Sequence, residues 1–207
     1  MSCLRITGRC MADPPPAEWR AQLAARLGGK PRRLGLWAEL GLYGALKCLA
    51  AAGEAKLPAH AGLILSSQHG PVTALHHAFE QACEDLPMPH TFLQTQPSQL
   101  LAGLALHLNW CGDARFMTHP DPRALLQLAV AQNHRDGLLI GWVEEVGAGR
   151  SVWLRLRPAA QPSAVVRQAH CTQDSLWQAS HLGITAAAVT AWFDPAGSAS
   201  GHRLEEN

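Results

Sequence analysis

The chain has 207 residues, of which 47% are hydrophobic and 16% are charged, and its 17 basic and 16 acidic side chains give a net charge of +1. A chain of this length can bury a core of its own, and this composition excludes disordered, collagen-like and cystine-framework proteins. Because the charges nearly cancel and no run of Lys or Arg appears, no nucleic-acid partner is predicted.

The amino terminus and the hydropathy predict a cytoplasmic protein without a membrane span. Residues 1–8 lack the apolar segment of a signal peptide, and no stretch of about 18 uncharged apolar residues is present. In the cytoplasm the six cysteines are expected to be reduced, and most of them to pack as small core residues.

No cofactor and no metal site is predicted, although the chain has 11 histidines. Their spacing never matches H-E-x-x-H, and the cysteines form no C-x-x-C pair, so the sequence does not place a ligand set on one face. The only close pairs are His76-His77 and His170-Cys171.

Hydrophobic periodicity and Gly/Pro signals predict strands that alternate with helices in the first part of the chain. A short strand over residues 4–8 comes first, and a helix over about 18–27 ends at Gly28-Gly29. A long packed helix follows over 34–52. The next predicted elements are a buried strand over 61–67, a helix over 72–85, an irregular segment broken by prolines over 86–97, and a helix over 98–108.

The second part of the chain continues this alternation. The predicted elements are a strand over 114–118, a helix over 122–132 that begins at Asp121-Pro122, a buried strand over 137–143, and a strand over 151–157. Gly147 to Gly149 form a turn, so the last two strands should form an antiparallel hairpin. The pattern as a whole predicts an α/β fold with a mixed sheet layered with helices.

Four segments, in this order, resemble the N-terminal half of a β-ketoacyl synthase of the thiolase-like superfamily. Leu4-Arg5-Ile6-Thr7-Gly8 resembles the opening strand, and the helix over 34–53 with the strand over 61–67 resembles the helix and the "vgvvvgsg" strand that follow it. Residues 89–99 with 104–112 resemble the stretch "sP..F....pn..a..ia..lgl.G", and residues 141–145 resemble the strand end "ggvee". Within the superfamily the chain is most similar to short stand-alone ketosynthase-like proteins of aryl polyene and related gene clusters.

The resemblance implies a domain over 1–157, and the remaining sequence predicts a helical extension over 158–194 packed on it and a flexible tail over 195–207. It also implies a missing nucleophile. In an active ketosynthase a Cys follows the glycine that corresponds to Gly112 by about nine residues, at a helix N-terminus that activates its thiolate. Asp121 stands there in this chain, and a carboxylate at a helix N-cap is stabilised as an anion.

The leading interpretation is a catalytically silent accessory protein for fatty acyl or polyketide chain assembly of the aryl polyene type. At 207 residues the chain is about half the length that a ketosynthase needs to bring its thiolate and histidines together. Complete ketosynthases dimerise through the strand that leads into the nucleophile turn, which is here Arg115-Phe116-Met117. A homodimer, or a heterodimer with a ketosynthase, is therefore expected, with an acyl carrier protein as a further partner.

Two alternatives remain open. One is a thioester hydrolase or acyltransferase that uses Cys111, or Ser67 beside Ser66, Gln68 and His69 at a strand end, although no third member of a triad can be named. The other is a module that binds an acyl chain or an acyl carrier protein without reacting. The seven tryptophans that could line such a groove are more typical of core positions. They are Trp19, Trp37, Trp110, Trp142, Trp153, Trp177 and Trp192.

Overall fold

The computed structural model describes residues 4–86, 88–118, 132 and 134–158. The elements, in chain order, are β1 (Leu4–Ala12), α1 (Trp19–Leu27), α2 (Leu36–Ala51), β2 (Gly62–Ser67), α3 (Val72–Cys83), α4 (Pro89–Gln94), α5 (Ser98–Leu108), β3 (Ala114–Thr118), β4 (Leu138–Glu144) and β5 (Arg150–Pro158). None of the helices in these residues has the length and apolar character needed to cross a bilayer. The predicted helix over 122–132, apart from residue 132, and the predicted extension and tail beyond residue 158 lie outside the described residues.

The five strands form one mixed sheet in the order β1-β5-β4-β2-β3. Strand β2 runs parallel to both β3 and β4, whereas β5 is antiparallel to β4 and to β1. The predicted α/β class and the predicted hairpin of β4 and β5 are therefore confirmed. Because β2, β3 and β4 run in the same direction, their carboxyl ends lie together at one end of the sheet.

Two predicted segments need correction. Strand β1 extends to Ala12 instead of ending at Gly8, and its register with β5 shifts between Ile6 and Gly8. Buried positions alternate without a break from Leu4 to Ala12, so Gly8 does not end the strand; a Cβ there would overlap the Cys48 carbonyl of α2, and the glycine marks a close approach of the helix. The segment over 86–97, expected to be irregular, contains the short helix α4, because Pro89 at its start needs no hydrogen-bond donor.

Helix α2 packs directly on one face of the sheet, over the buried indole of Trp153. A Cβ at Gly44 of α2 or at Gly141 of β4 would overlap this indole, so two glycines leave the space that it fills. The Trp153 Nε1–H donates to Ser151 Oγ at 3.0 Å, and the Ser151 hydroxyl donates to the Leu40 carbonyl of α2 at 2.8 Å. These two consecutive hydrogen bonds therefore link α2 to β5 of the hairpin.

The opposite face of the sheet is buried as well. Ile64 of β2, Ile140 of β4 and Leu154 of β5 alternate in register with the residues under α2, and each is at most 2% exposed. A sheet that is buried on both faces explains why β2 and β4 show continuous apolar runs instead of a clean alternation with polar residues.

Arg155 of β5 is the most heavily bonded side chain of the described core, and it is 0% exposed. Its guanidinium forms an ion pair with Glu54 through contacts of 2.6 Å and 3.2 Å. The remaining N–H groups donate to the carbonyls of Leu138, Leu156 and Asp136 at 2.7–3.3 Å. All five N–H donors of the arginine are thus used, and they join the segment after α2 to the start of β4.

Candidate functional site

The carboxyl ends of β2, β3 and β4 form the first candidate site. Ser67 pairs with Thr118 at the end of β3, and Ser66 pairs with Trp142, two residues before β4 ends at Glu144. Ligands of open α/β sheets bind at such strand ends. The acyl-transfer site that the sequence suggested at Ser67 and His69 lies at these strand ends.

Both serine hydroxyls at the end of β2 are engaged with the backbone. Ser67 is fully buried, and its Oγ accepts the Gly70 N–H at 2.7 Å. Ser66 Oγ donates to the Met117 carbonyl of β3 at 3.1 Å. The Ser67 hydroxyl therefore stabilises the turn into α3. Within the described residues it is hydrogen-bonded to this backbone N–H and not to the ring of His69.

Glu144, at the end of β4, holds the loop that follows β2. Its carboxylate accepts the backbone N–H groups of Gln68 and His69, the latter at 3.2 Å, and lies 3.3 Å from His69 Nδ1. The next residue, Glu145, accepts the Thr73 N–H in the first turn of α3. Since α3 has no side-chain cap of its own, the Glu145 carboxylate satisfies a free N–H there and complements the helix dipole.

Sequence reasoning identified His69 but missed both glutamates as functional partners. The available signal was the pair Glu144-Glu145 at a strand end, where the sequence shows charge but not which loop receives it. The contact with Glu144 fixes the orientation of the His69 ring, whose side chain is 48% exposed. The strand ends therefore carry a histidine in contact with a carboxylate, beside two serine hydroxyls that are hydrogen-bonded to the backbone.

The four cysteines in the described part of the chain divide into two kinds. Cys10 and Cys48 are buried, and burial raises the pKa of both thiols, that of Cys10 to about 11. These two are core thiols of the kind expected for most of the cysteines, whereas Cys83 and Cys111 are exposed. Cys111 lies in the connection between α5 and β3, so it follows a helix instead of standing at a helix N-terminus. Cys3 and Cys171 lie outside the described residues.

No group of three or more His, Cys, Asp or Glu side chains within the described ranges is arranged to hold a metal ion. Four of the seven tryptophans are confirmed as core residues, and Trp19 packs against the core while partly exposed. The other two, Trp177 and Trp192, lie outside the described residues, as do Asp121 and the pair His170-Cys171. The buried ones are Trp37, Trp110, Trp142 and Trp153.

Strand β3 forms the second candidate site, because it is an edge strand that pairs with β2 alone among the described strands. The predicted residues lie on it. Arg115 is exposed and makes a two-pronged contact with Asp113 at 2.9 Å and 3.1 Å, which raises the pKa of its guanidinium. Phe116 is half-buried against Trp37 in an edge-to-face arrangement with ring centroids 5.9 Å apart, and Met117 is half-buried.

Among the residues that the structure describes, the backbone of β3 is hydrogen-bonded on one side only. The Leu63 N–H donates to the Asp113 carbonyl at 2.9 Å, so residues 113, 115 and 117 direct their amide groups towards β2. Residues 114, 116 and 118 therefore direct theirs outward. An exposed row of unpaired N–H and C=O groups is a template for pairing with a strand of another chain.

Comparison with known proteins identifies the fold. No protein-family model matches the chain, and no curated protein sequence matches it. Solved structures do match. A chain in the complex of the ketosynthase ApeO with its chain length factor ApeC, from Xenorhabdus doucetiae, aligns with a TM-score of 0.56 and 16% identity over 79% of this chain and 82% of that one. The chain has the fold of a thiolase-like ketosynthase.

Two further ketosynthase structures support this assignment. The ishigamide ketosynthase/chain length factor aligns with a TM-score of 0.57 and 15% identity over 78% of this chain and 63% of that one. The AntDE:AntF complex, a ketosynthase with its type II acyl carrier protein, aligns with a TM-score of 0.53 and 13% identity over 76% of this chain and 63% of that one. The ketosynthase-like fold expected from the order of sequence motifs is thus confirmed. The turn that the resemblance assigns to the nucleophile directly follows β3 and lies, after Thr118, outside the described residues.

Proposed function

We propose that this chain is an accessory ketosynthase-like protein that has no ketosynthase activity of its own. It associates with an active ketosynthase and supports fatty acyl or polyketide chain assembly of the aryl polyene type, with an acyl carrier protein as a further partner. The observation that carries the proposal is that β3 pairs on one side only among the described strands, in a fold similar to that of a chain in a ketosynthase–chain length factor complex.

The chemistry of the described residues supports a role in association. An acyl-transfer nucleophile needs a base within hydrogen-bond distance, or a helix N-terminus that lowers its pKa. The Ser67 hydroxyl is instead bonded to the Gly70 N–H, and Cys111 is an exposed residue after the end of α5. In the resemblance, Asp121 occupies the nucleophile position, where its carboxylate is suited to capping a helix.

The edge strand can form a continuous sheet with a partner strand. Three of the five residues of β3, 114, 116 and 118, would contribute outward amide groups, and the half-buried Met117 adds apolar surface. Backbone pairing of this kind requires an N–H at each outward position, so a proline there weakens it without removing a hydrogen bond to β2. Phe116 is the central outward residue.

The test compares Phe116→Pro with Phe116→Val. Both variants lose the contact with Trp37, but only the proline variant loses the outward N–H, so the valine variant is the matched control. Each is co-expressed with the ketosynthase of the same gene cluster and measured by size-exclusion chromatography with light scattering, after circular dichroism has confirmed folding. We expect the wild type and Phe116→Val to elute as dimers and Phe116→Pro as a monomer. A wild-type chain that is monomeric both alone and with the ketosynthase contradicts the proposal.

Acyl transfer is the alternative function, and one observation favours it: the Glu144 carboxylate lies 3.3 Å from His69 Nδ1, in the position of a group that orients a catalytic histidine. A thioester probe tests it. Turnover that Ser67→Ala or Cys111→Ala abolishes, and that His69→Gln reduces, would favour acyl transfer over the accessory role. Turnover at the rate of the uncatalysed reaction is expected from the proposal.

A further inference from the structure

Helix α3 presents an apolar stripe to solvent. Leu75 and Phe79 lie one turn apart on this helix and are 55% and 69% exposed, and Leu86, just after its end, is 64% exposed. Of the residues of α3, all of which the structure describes, only Ala74 is buried. An amphipathic helix of a globular protein normally buries such a stripe against its own domain. The described residues leave the stripe of α3 uncovered.

The exposed apolar surface continues onto α4, which packs against α3. Met88, just before α4, and Phe92 within it are both more than half exposed. A contiguous apolar surface of this kind usually marks a place where another segment or molecule binds. We call these exposed side chains of the two helices the α3–α4 face: Leu75, Phe79, Leu86, Met88 and Phe92.

Helix α3 is attached to the sheet through its start and not through this face. The Gly70 N–H donates to Ser67 Oγ at the end of β2, and the Thr73 N–H donates to the carboxylate of Glu145, directly after β4. These hydrogen bonds fix the first turn of the helix and leave its apolar stripe unused. The α3–α4 face is therefore held in place and available for contact with a further segment.

The charge of this surface restricts what can cover it. Residues 68–97 contain three acidic residues, Glu80, Glu84 and Asp85, and neither Lys nor Arg. All three carboxylates are exposed. The same face of a second copy would add three more carboxylates, and like charges brought together across an interface are destabilising. An uncharged apolar segment avoids this repulsion.

The sequence contains such a segment after β5. Residues 175–193 include no Asp, Glu, Lys or Arg. In the helix that the sequence predicts there, Leu182, Val189 and Phe193 lie on one side, because they are seven and four residues apart. A helix without charged side chains is typical of a buried one. The linking residues 159–174 span about 50 Å when extended, which exceeds the diameter of about 40 Å for a domain of this size, so the segment can reach the α3–α4 face.

We propose that residues 175–193 form a helix whose apolar side packs on the α3–α4 face of the same chain. Leu182, Val189 and Phe193 then cover the stripe of Leu75 and Phe79. Because the segment is tethered to the domain, its effective concentration at this face is of millimolar order, which favours it over a separate protein. This contact is independent of the pairing of β3 with a partner strand.

Hydrogen–deuterium exchange of the full chain alone, followed by mass spectrometry, tests the proposal. Leu75→Gln/Phe79→Gln is the test variant. Leu106→Gln/Val146→Gln is the matched control, because it replaces two exposed apolar side chains outside the α3–α4 face, on α5 and after β4. Slow exchange in the peptide that contains β2 establishes that each variant is folded. Val189→Gln is the reciprocal variant, for which exchange is measured in α3.

We expect the amides of residues 175–193 to exchange at least about tenfold more slowly in the wild type and in the control than in the test variant. Val189→Gln should accelerate exchange in α3, and this variant decides the question if the test variant does not fold. Protection should be unchanged when the protein is diluted about tenfold, because the contact lies within one chain.

Equal exchange of residues 175–193 in the wild type and the test variant, or of α3 in the wild type and Val189→Gln, overturns the proposal. Protection that disappears on dilution also overturns it and assigns the face to a second copy. The Phe116→Pro variant retains both the α3–α4 face and residues 175–193. Its loss of dimerisation is therefore distinguishable from a failure here.

Discussion

Arg155→Met is the substitution that tests most directly how this fold is stabilised. Methionine matches the length of the aliphatic part of the arginine but removes all five N–H donors, and it leaves the Glu54 carboxylate and three carbonyl groups without their partner. Removing one member of a buried ion pair costs about 3–5 kcal/mol. Arg157 Nη1 lies 3.6 Å from Glu54 and still compensates part of the carboxylate charge when Arg155 is replaced. We therefore expect Arg155→Met to lower the free energy of unfolding by about 3 kcal/mol.

The chain supplies a matched control for this measurement. Arg157→Met changes the same residue type on the same strand beside the same carboxylate, but the Arg157 side chain is 47% exposed. We expect it to cost less than about 1 kcal/mol, as surface ion pairs do. The free energy of unfolding is measured by urea denaturation of both variants. If Arg155→Met costs as little as Arg157→Met, the reasoning that the buried guanidinium joins α2 to β4 is refuted.

Three further substitutions at buried positions have effects that the structure predicts. Gly44→Ala should lower the free energy of unfolding by about 1–3 kcal/mol because its Cβ would overlap the indole beneath α2, whereas Gly103→Ala in α5 should raise it by up to about 1 kcal/mol because its Cβ makes an ordinary contact with Leu34 at 3.6 Å. Burial raises the pKa of Glu39, so the folded protein holds that proton more tightly than the unfolded chain does. The stability of Glu39→Gln relative to the wild type should therefore increase as the pH rises through the folded pKa of Glu39, which urea denaturation at a series of pH values measures; a constant difference would contradict it.

Much of the fold could be predicted because local signals decide it. The apolar run before Ser67 predicts β2, and the glycine-rich turn between β4 and β5 predicts their hairpin, within one or two residues of the observed bounds. The prediction ended β1 too early because a glycine in a short apolar run is also typical of a strand end. In the structure Gly8 lies inside β1, where a Cβ would overlap the Cys48 carbonyl of α2, and this contact between segments 40 residues apart leaves no local signal.

The site was harder to predict than the fold for the same reason. Arg155 alternates with apolar residues, the pattern of a solvent-facing position, and only its pairing with Glu54, 101 residues away, makes its burial favourable. Glu144 likewise contacts a loop 75 and 76 residues distant. Strand β3 is the last strand of the described sheet, which agrees with the interface strand that the family resemblance implies, while its role in association stays a prediction.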